Sequence, residues 1–133
     1  MTSTPTALIQ QLYACFAQQD LPGILALMAP DVVWTLQCPN PPVVPGGPRH
    51  GVAGVQEFFV QVATCEDISE FVIDYLVGDD SHVIARGHET TLVRATGKTY
   101  KSAWTHCWTV ANGQITQWEG FYDSAAMAAA YTP

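Results

Sequence analysis

Charge is scarce in this sequence, and positive charge is scarcest. Only 13% of the 133 residues are charged, and five Lys and Arg stand against twelve Asp and Glu, a net charge of −7. A surface so short of cations cannot neutralise a phosphate backbone, which argues against nucleic acid as a partner. No run approaches the roughly eighteen apolar residues that span a bilayer. The opening MTSTPTALIQQLYACFAQQD has no basic stretch ahead of an apolar one. No membrane segment and no leader are expected, and the location predicted is cytoplasmic. The four cysteines, Cys15, Cys38, Cys65 and Cys107, form no C-x-x-C pair and match no zinc spacing, so free thiols in a reducing compartment are expected. His50, His82 and His88 add no convincing ligand set. Neither a metal nor a cofactor is expected.

What the chain does have is apolar: 48% of its residues, enough for the core of a single domain spanning 1–133. After Thr4-Pro5, residues Leu8, Leu12, Cys15 and Phe16 recur at helical spacing. Asp20-Leu21-Pro22 opens a short second helix that Pro30 is expected to end, with Ile24, Leu25, Leu27 and Met28 on its buried side. DVVWTLQ alternates with a period of two and reads as a strand. The segment CPNPPVVPGGPRHG carries five prolines and three glycines, which suits an ordered loop. A third helix follows, with Val52, Val55, Phe58, Phe59 and Val62 on one stripe. From residue 67 onward the pattern is strands, near 68–77, 82–94, 99–110 and 114–123, with Thr96-Gly97 and Asn112-Gly113 as hairpin turns. Asp123 precedes an alanine-rich closing helix. Three helices, one early strand and then an antiparallel run give an α+β fold, a curved antiparallel sheet wrapped around the N-terminal helices as a cone-shaped barrel.

Three stretches, APDVVW, VQEFFVQV with its preceding glycine, and TGKTYKSAWTHCWTVANGQITQWEGFYDSAAMAAAY, resemble the nuclear transport factor 2-like superfamily over residues 6–131. Within it they are most similar to the SnoaL-like polyketide cyclases and ketosteroid isomerase relatives. The resemblance implies a cone with a mostly apolar pocket, a homodimer, and acid–base residues on inner strand faces. It also marks departures. The isomerase base falls near Leu36, and the Arg-x-Asp pair and second Asp of limonene epoxide hydrolases fall on Gly87, Glu89 and Gly120. SnoaL-like cyclases match better at His106, while their companion Asp falls on Gly120. Neither steroid isomerisation nor epoxide hydrolysis by those relatives' machinery is expected.

With Thr96-Gly97 as a two-residue turn, Glu89 stands opposite Trp104 and Gly87 opposite His106. Thr91, Glu89, Gly87, Ser102, Trp104 and His106 then share one face. The apolar partners Trp104, Trp108 and Val110 turn that face inward. Glu89 and His106 become diagonal neighbours, and Gly87 leaves room before the imidazole. A histidine that titrates near neutrality beside a glutamate raised by apolar surroundings forms a candidate proton-transfer pair. Trp34 and Leu36, Tyr13 and Phe16, and Phe59 are candidate pocket residues, as are Trp118, Gly120 and Tyr122 in the register the resemblance implies. The opposite register turns Glu119 and Phe121 inward instead. Asp123 is a helix cap or an acid. The function expected is cofactor-independent isomerase, cyclase or dehydratase chemistry on a small apolar carbonyl compound. The alternative is a non-catalytic ligand-binding or dimerisation module of the same fold.

Overall fold

The computed structural model describes residues 4–38 and 43–133. Helix α1 spans Pro5–Ala17 and begins where predicted: Pro5 occupies its first turn and the Thr4 hydroxyl accepts from the Ala7 amide at 3.1 Å. Its buried side is Leu8, Ile9, Leu12 and Tyr13. Helix α2, Leu21–Leu25, is capped by Asp20. It ends before Pro30, because Met28 already opens strand β1, Met28–Leu36. Pro30 lies where the pairing of β1 slips, between Met28 and Val33, and a residue without an amide hydrogen is tolerated there.

The Pro-rich segment also differs from its expectation as plain loop. Gly47–His50 forms a short strand, β2, paired antiparallel with β1 through Leu36 to Gly47 and Trp34 to Arg49. Lying at the sheet edge, β2 accommodates Pro48, which a central strand would reject. Residues 39–42 of the expected loop lie outside the described residues. Helix α3 follows over Gly51–Cys65, then β3 (Glu66–Gly78), β4 (His82–Val93), β5 (Lys98–Ala111), β6 (Gln114–Phe121) and α4 (Ser124–Tyr131). The sheet order is β2-β1-β6-β5-β4-β3. Among the described residues every pairing is antiparallel except β1 with β6, which is parallel. Two irregularities in β3 and one between β5 and β6 bend the sheet around the helices, leaving it curved and unclosed.

Both hairpins refine the predicted register. Between β4 and β5 the connection is four residues, Arg94 to Gly97, with Val93 opposite Lys98. Only Gly97 takes a left-handed conformation, φ +72°, and its amide bonds to the Val93 carbonyl at 2.8 Å. A two-residue type I′ turn would force Thr96 to positive φ, which a β-branched side chain resists. Glu89 therefore stands opposite Ser102, Gly87 opposite Trp104 and Ala85 opposite His106. The slip is two residues, so every side chain keeps its predicted face. At the second hairpin Asn112 (φ 54°) and Gly113 (φ 74°) do form a two-residue type I′ turn. A bulge between Thr109 and Val110 then adds one residue to β6 and turns Trp118 and Gly120 inward, with Phe121 44% exposed.

Candidate functional site

The cone encloses a cavity of about 60 Å³. Its aromatic wall comes from several elements: Tyr13 and Phe16 of α1, Phe58 and Phe59 of α3, and Trp34 beside Leu36 on β1. Trp108 of β5, Trp118 of β6 and Tyr122 beyond it complete the circuit. Trp34 is the hinge of this arrangement, stacked on Trp118 at 4.5 Å and edge-on to Trp108 at 5.5 Å. Polar groups enter at few points, His106, Glu89, Glu66 and Tyr100 among them.

Three expected pocket residues do not line the cavity. Trp104 lies behind it, stacked flat on the His106 ring at 3.9 Å. Gly87 does not leave room before the imidazole, because the Trp104 ring already fills that space: a β-carbon there would lie 2.2 Å from Trp104 Cζ2. Gly120 likewise seats the Trp118 indole, 2.4 Å from where its β-carbon would be. Both glycines are accommodations for tryptophan. Asp123 is an exposed cap whose Oδ1 accepts from the Ala126 amide at 3.0 Å, which accounts for its carboxylate without an acid role.

His106 and Glu89 are both buried, but they are not diagonal neighbours, because the four-residue connection displaced one strand along the other. Tyr122 stands between them. Its hydroxyl is 2.9 Å from His106 Nε2 and within hydrogen-bonding reach of Glu89. The other imidazole nitrogen, Nδ1, is 2.6 Å from the Tyr13 hydroxyl. The indole of Trp108, which can only donate, donates to Tyr13 at 3.3 Å. With Trp108 donating to its oxygen, Tyr13 keeps its own hydrogen free to point at Nδ1, the arrangement that places the neutral ring's hydrogen on Nε2, toward Tyr122. Burial pushes the His106 pKa down to about 3, away from the neutral range predicted for it. An imidazole engaged at both nitrogens and reluctant to charge orients two tyrosines; it is not a free base.

The two buried carboxyls are shifted the opposite way, upward. Burial raises Glu89, opposed by hydrogen bonds from Thr91, Tyr122 and Tyr100, with the Tyr100 hydroxyl 3.4 Å from Oε2. Burial also raises Glu66, to about 7; Tyr131 and Tyr100 oppose the shift, and the nearby Glu89 charge adds to it. Glu66, Tyr100 and Tyr131 were missed in the sequence. Tyr100 lies two residues before Ser102 and so on the inner face by simple alternation. Glu66 escaped because the strand was expected to begin two residues later.

These shifts make stability depend on pH in two opposing ways. Between about 6.5 and about 3 the unfolded chain protonates its histidine and the native one does not, so His106 costs stability as pH falls. Between about 4.5 and about 7 the unfolded chain releases the Glu66 proton first, so Glu66 costs stability as pH rises, and Glu89 acts in the same direction. Urea midpoints measured across this range should peak at mildly acidic pH. Glu66→Gln should flatten the decline toward neutrality and leave the acid side unchanged.

A family model described as a SnoaL-like domain matches residues 9–118. No curated protein matches the chain by sequence. Among solved structures it is similar to an NTF2-like protein from Burkholderia thailandensis, at 26% identity and TM-score 0.88, covering 98% of this chain and 99% of that one. An NTF2-like protein of unknown function from Burkholderia pseudomallei is 28% identical, with TM-score 0.86 and coverage of 98% and 99%. TerC, co-crystallised with polyporic acid, is 27% identical, with TM-score 0.82 and coverage of 95% and 96%.

Proposed function

The chain belongs to the SnoaL-like domain family, and from that premise we propose that it is a cofactor-independent enzyme moving protons on a small, largely apolar carbonyl compound. The observation that carries this reading is the Glu89 carboxyl, 4% exposed, among the few polar groups of an aromatic cavity and facing three hydroxyl donors. A carboxylate whose pKa is raised is a stronger base than one in water, and desolvation keeps it from being levelled by solvent. In its ionised form Glu89 takes a proton from the carbon next to a carbonyl; the electron pair of the broken C–H bond moves onto the carbonyl oxygen as an enolate. Return of the proton to another carbon completes an isomerisation; attack of the enolate carbon on a second carbonyl of the same molecule, whose C=O π pair moves to oxygen and takes the proton back from Glu89, completes a cyclisation. His106 is a positioning residue in this scheme, holding Tyr13 and Tyr122 at the cavity wall. The co-crystallisation of TerC with polyporic acid supports a small organic ligand for the shared fold.

A second reading, a binding module without chemistry, is favoured by one observation: both His106 nitrogens are already bonded within the protein. One measurement separates the two. Butanone in deuterium oxide should exchange its α-hydrogens faster with the protein than with buffer alone, followed by NMR. Saturable binding with no acceleration would overturn the enzyme reading in favour of the module. Association of two copies belongs to the same reading. Val72, Tyr75 and Val77 of β3 and Phe121 of β6 are exposed on the outer sheet face, which supports a homodimer there.

A further inference from the structure

We propose that Glu66 is the second proton-carrying group of the cavity, joined to Glu89 through the Tyr100 hydroxyl, and that the pair eliminates water from a carbonyl compound bearing a hydroxyl on its β-carbon. The proposal rests on the reading that Glu89 removes a proton from carbon. Its basis is a juxtaposition of residues from four elements. Glu66 opens β3, Glu89 lies on β4, Tyr100 on β5, and Tyr131 closes from α4 onto Glu66. Both carboxyls are buried, at 7% and 4% exposure, and both line the cavity. Tyr100 donates to Glu89 Oε2 at 3.4 Å and lies within hydrogen-bonding reach of Glu66 as well.

Two carboxyls in one poorly solvated hollow cannot both ionise cheaply, so they hold one proton between them. The donors decide where it rests. Glu89 faces Thr91, Tyr122 and Tyr100, a set that stabilises a carboxylate. Glu66 faces Tyr131 and shares Tyr100, whose single hydroxyl hydrogen is committed to Glu89. The proton therefore sits on Glu66, and the relay runs from the Glu66 carboxylic acid to the Tyr100 oxygen, and from the Tyr100 hydroxyl to the Glu89 carboxylate. No Lys or Arg lines this cavity among the described residues, so the dyad's charge is set by these groups alone.

A base and an acid present together suit elimination. Glu89 removes the α-proton, the C–H electron pair becomes the new C=C bond, and the C–O bond breaks as Glu66 gives its proton to the departing hydroxyl. Water and an enone leave. Glu89 is then the acid and Glu66 the carboxylate, and two proton shifts through Tyr100 restore the starting state. No oxidant or further reactant is needed.

The probes are butanone, for α-exchange, and its β-hydroxy derivative, which yields butenone and water. Glu66→Gln should lose dehydration by roughly a hundredfold or more, the scale of a general acid, and lose far less of the α-exchange, which takes no proton from Glu66. Tyr100→Phe keeps both carboxyls and nearly the same volume, and should slow dehydration more than exchange, because it breaks the relay as well as removing one donor to Glu89, so the proposal stays testable if Glu66→Gln does not fold. Infrared titration of the carboxyl stretch adds a readout independent of turnover. Glu89→Gln should lower the pKa of the Glu66 carboxyl, which in the wild-type protein ionises beside an existing carboxylate. Wild-type dehydration in Glu66→Gln, or a Glu66 titration unmoved in Glu89→Gln, overturns the dyad. A wild-type protein that exchanges butanone without dehydrating the hydroxy compound overturns the elimination and leaves the exchange reading standing. Acceleration of neither reaction overturns both.

Discussion

Glu89→Gln is expected to slow α-proton exchange by roughly two to four orders of magnitude, the usual contribution of a positioned acid–base group, while leaving the protein folded. The amide has the shape of the carboxyl, and its oxygen still accepts from Thr91 and Tyr100, which now donate to Glu89. What it lacks is a lone pair basic enough to hold a proton. Stability at and above neutral pH should hold or rise, because the native wild-type protein is there obliged to bury a carboxylate that burial disfavours. Exchange kinetics with near-ultraviolet circular dichroism and urea unfolding separate the two effects. An undiminished rate in a folded Glu89→Gln protein removes this carboxyl from the chemistry.

The second large effect falls on stability. A β-carbon at position 87 would lie 2.2 Å from Trp104 Cζ2 and 2.2 Å from the Val72 carbonyl oxygen. The indole can move only by leaving its stack on His106, and the carbonyl belongs to the neighbouring strand of the sheet. Neither gives cheaply. Alanine regains about 0.5–1 kcal/mol of backbone entropy over glycine, against an overpacking cost that here should reach the top of the ordinary range, about 3 kcal/mol or more. Gly120→Ala should cost less, because its contacts below 3 Å are side-chain atoms of Trp118 alone. Urea unfolding of the two variants checks the ranking, and a Gly87→Ala protein as stable as the wild type contradicts it.

These examples mark what the sequence made legible. Alternation assigned faces, because a strand's period survives any even slip of register: Glu89, Ser102, Trp104 and His106 are all buried as the pattern required. Alternation alone did not assign neighbours along the strand. The distance between Glu89 and His106 depended on whether Thr96 accepts a left-handed conformation, a matter of one side chain's sterics. The bulge near Thr109 is of the same kind. The turn type follows from Asn112-Gly113, yet the extra residue that faces Trp118 inward lies beyond the turn. The glycines were misjudged because a missing side chain reads as space in a sequence and as a seat for a neighbour's ring in a packed core. The histidine's chemistry was misjudged because the tyrosine that satisfies it comes from α1, far away in the chain.

The parallel pairing of β1 with β6 governs when this hollow comes into being. Leu36 meets Gly120, and Trp34 meets Trp118, so the wall that bears the stacked indoles joins early sequence to late. During synthesis on a ribosome, the first strand must wait for Gln114–Phe121 to emerge before it gains this neighbour. Closing so long a loop is entropically slow. Until then Trp34 lacks its partner, and the cavity lacks this wall.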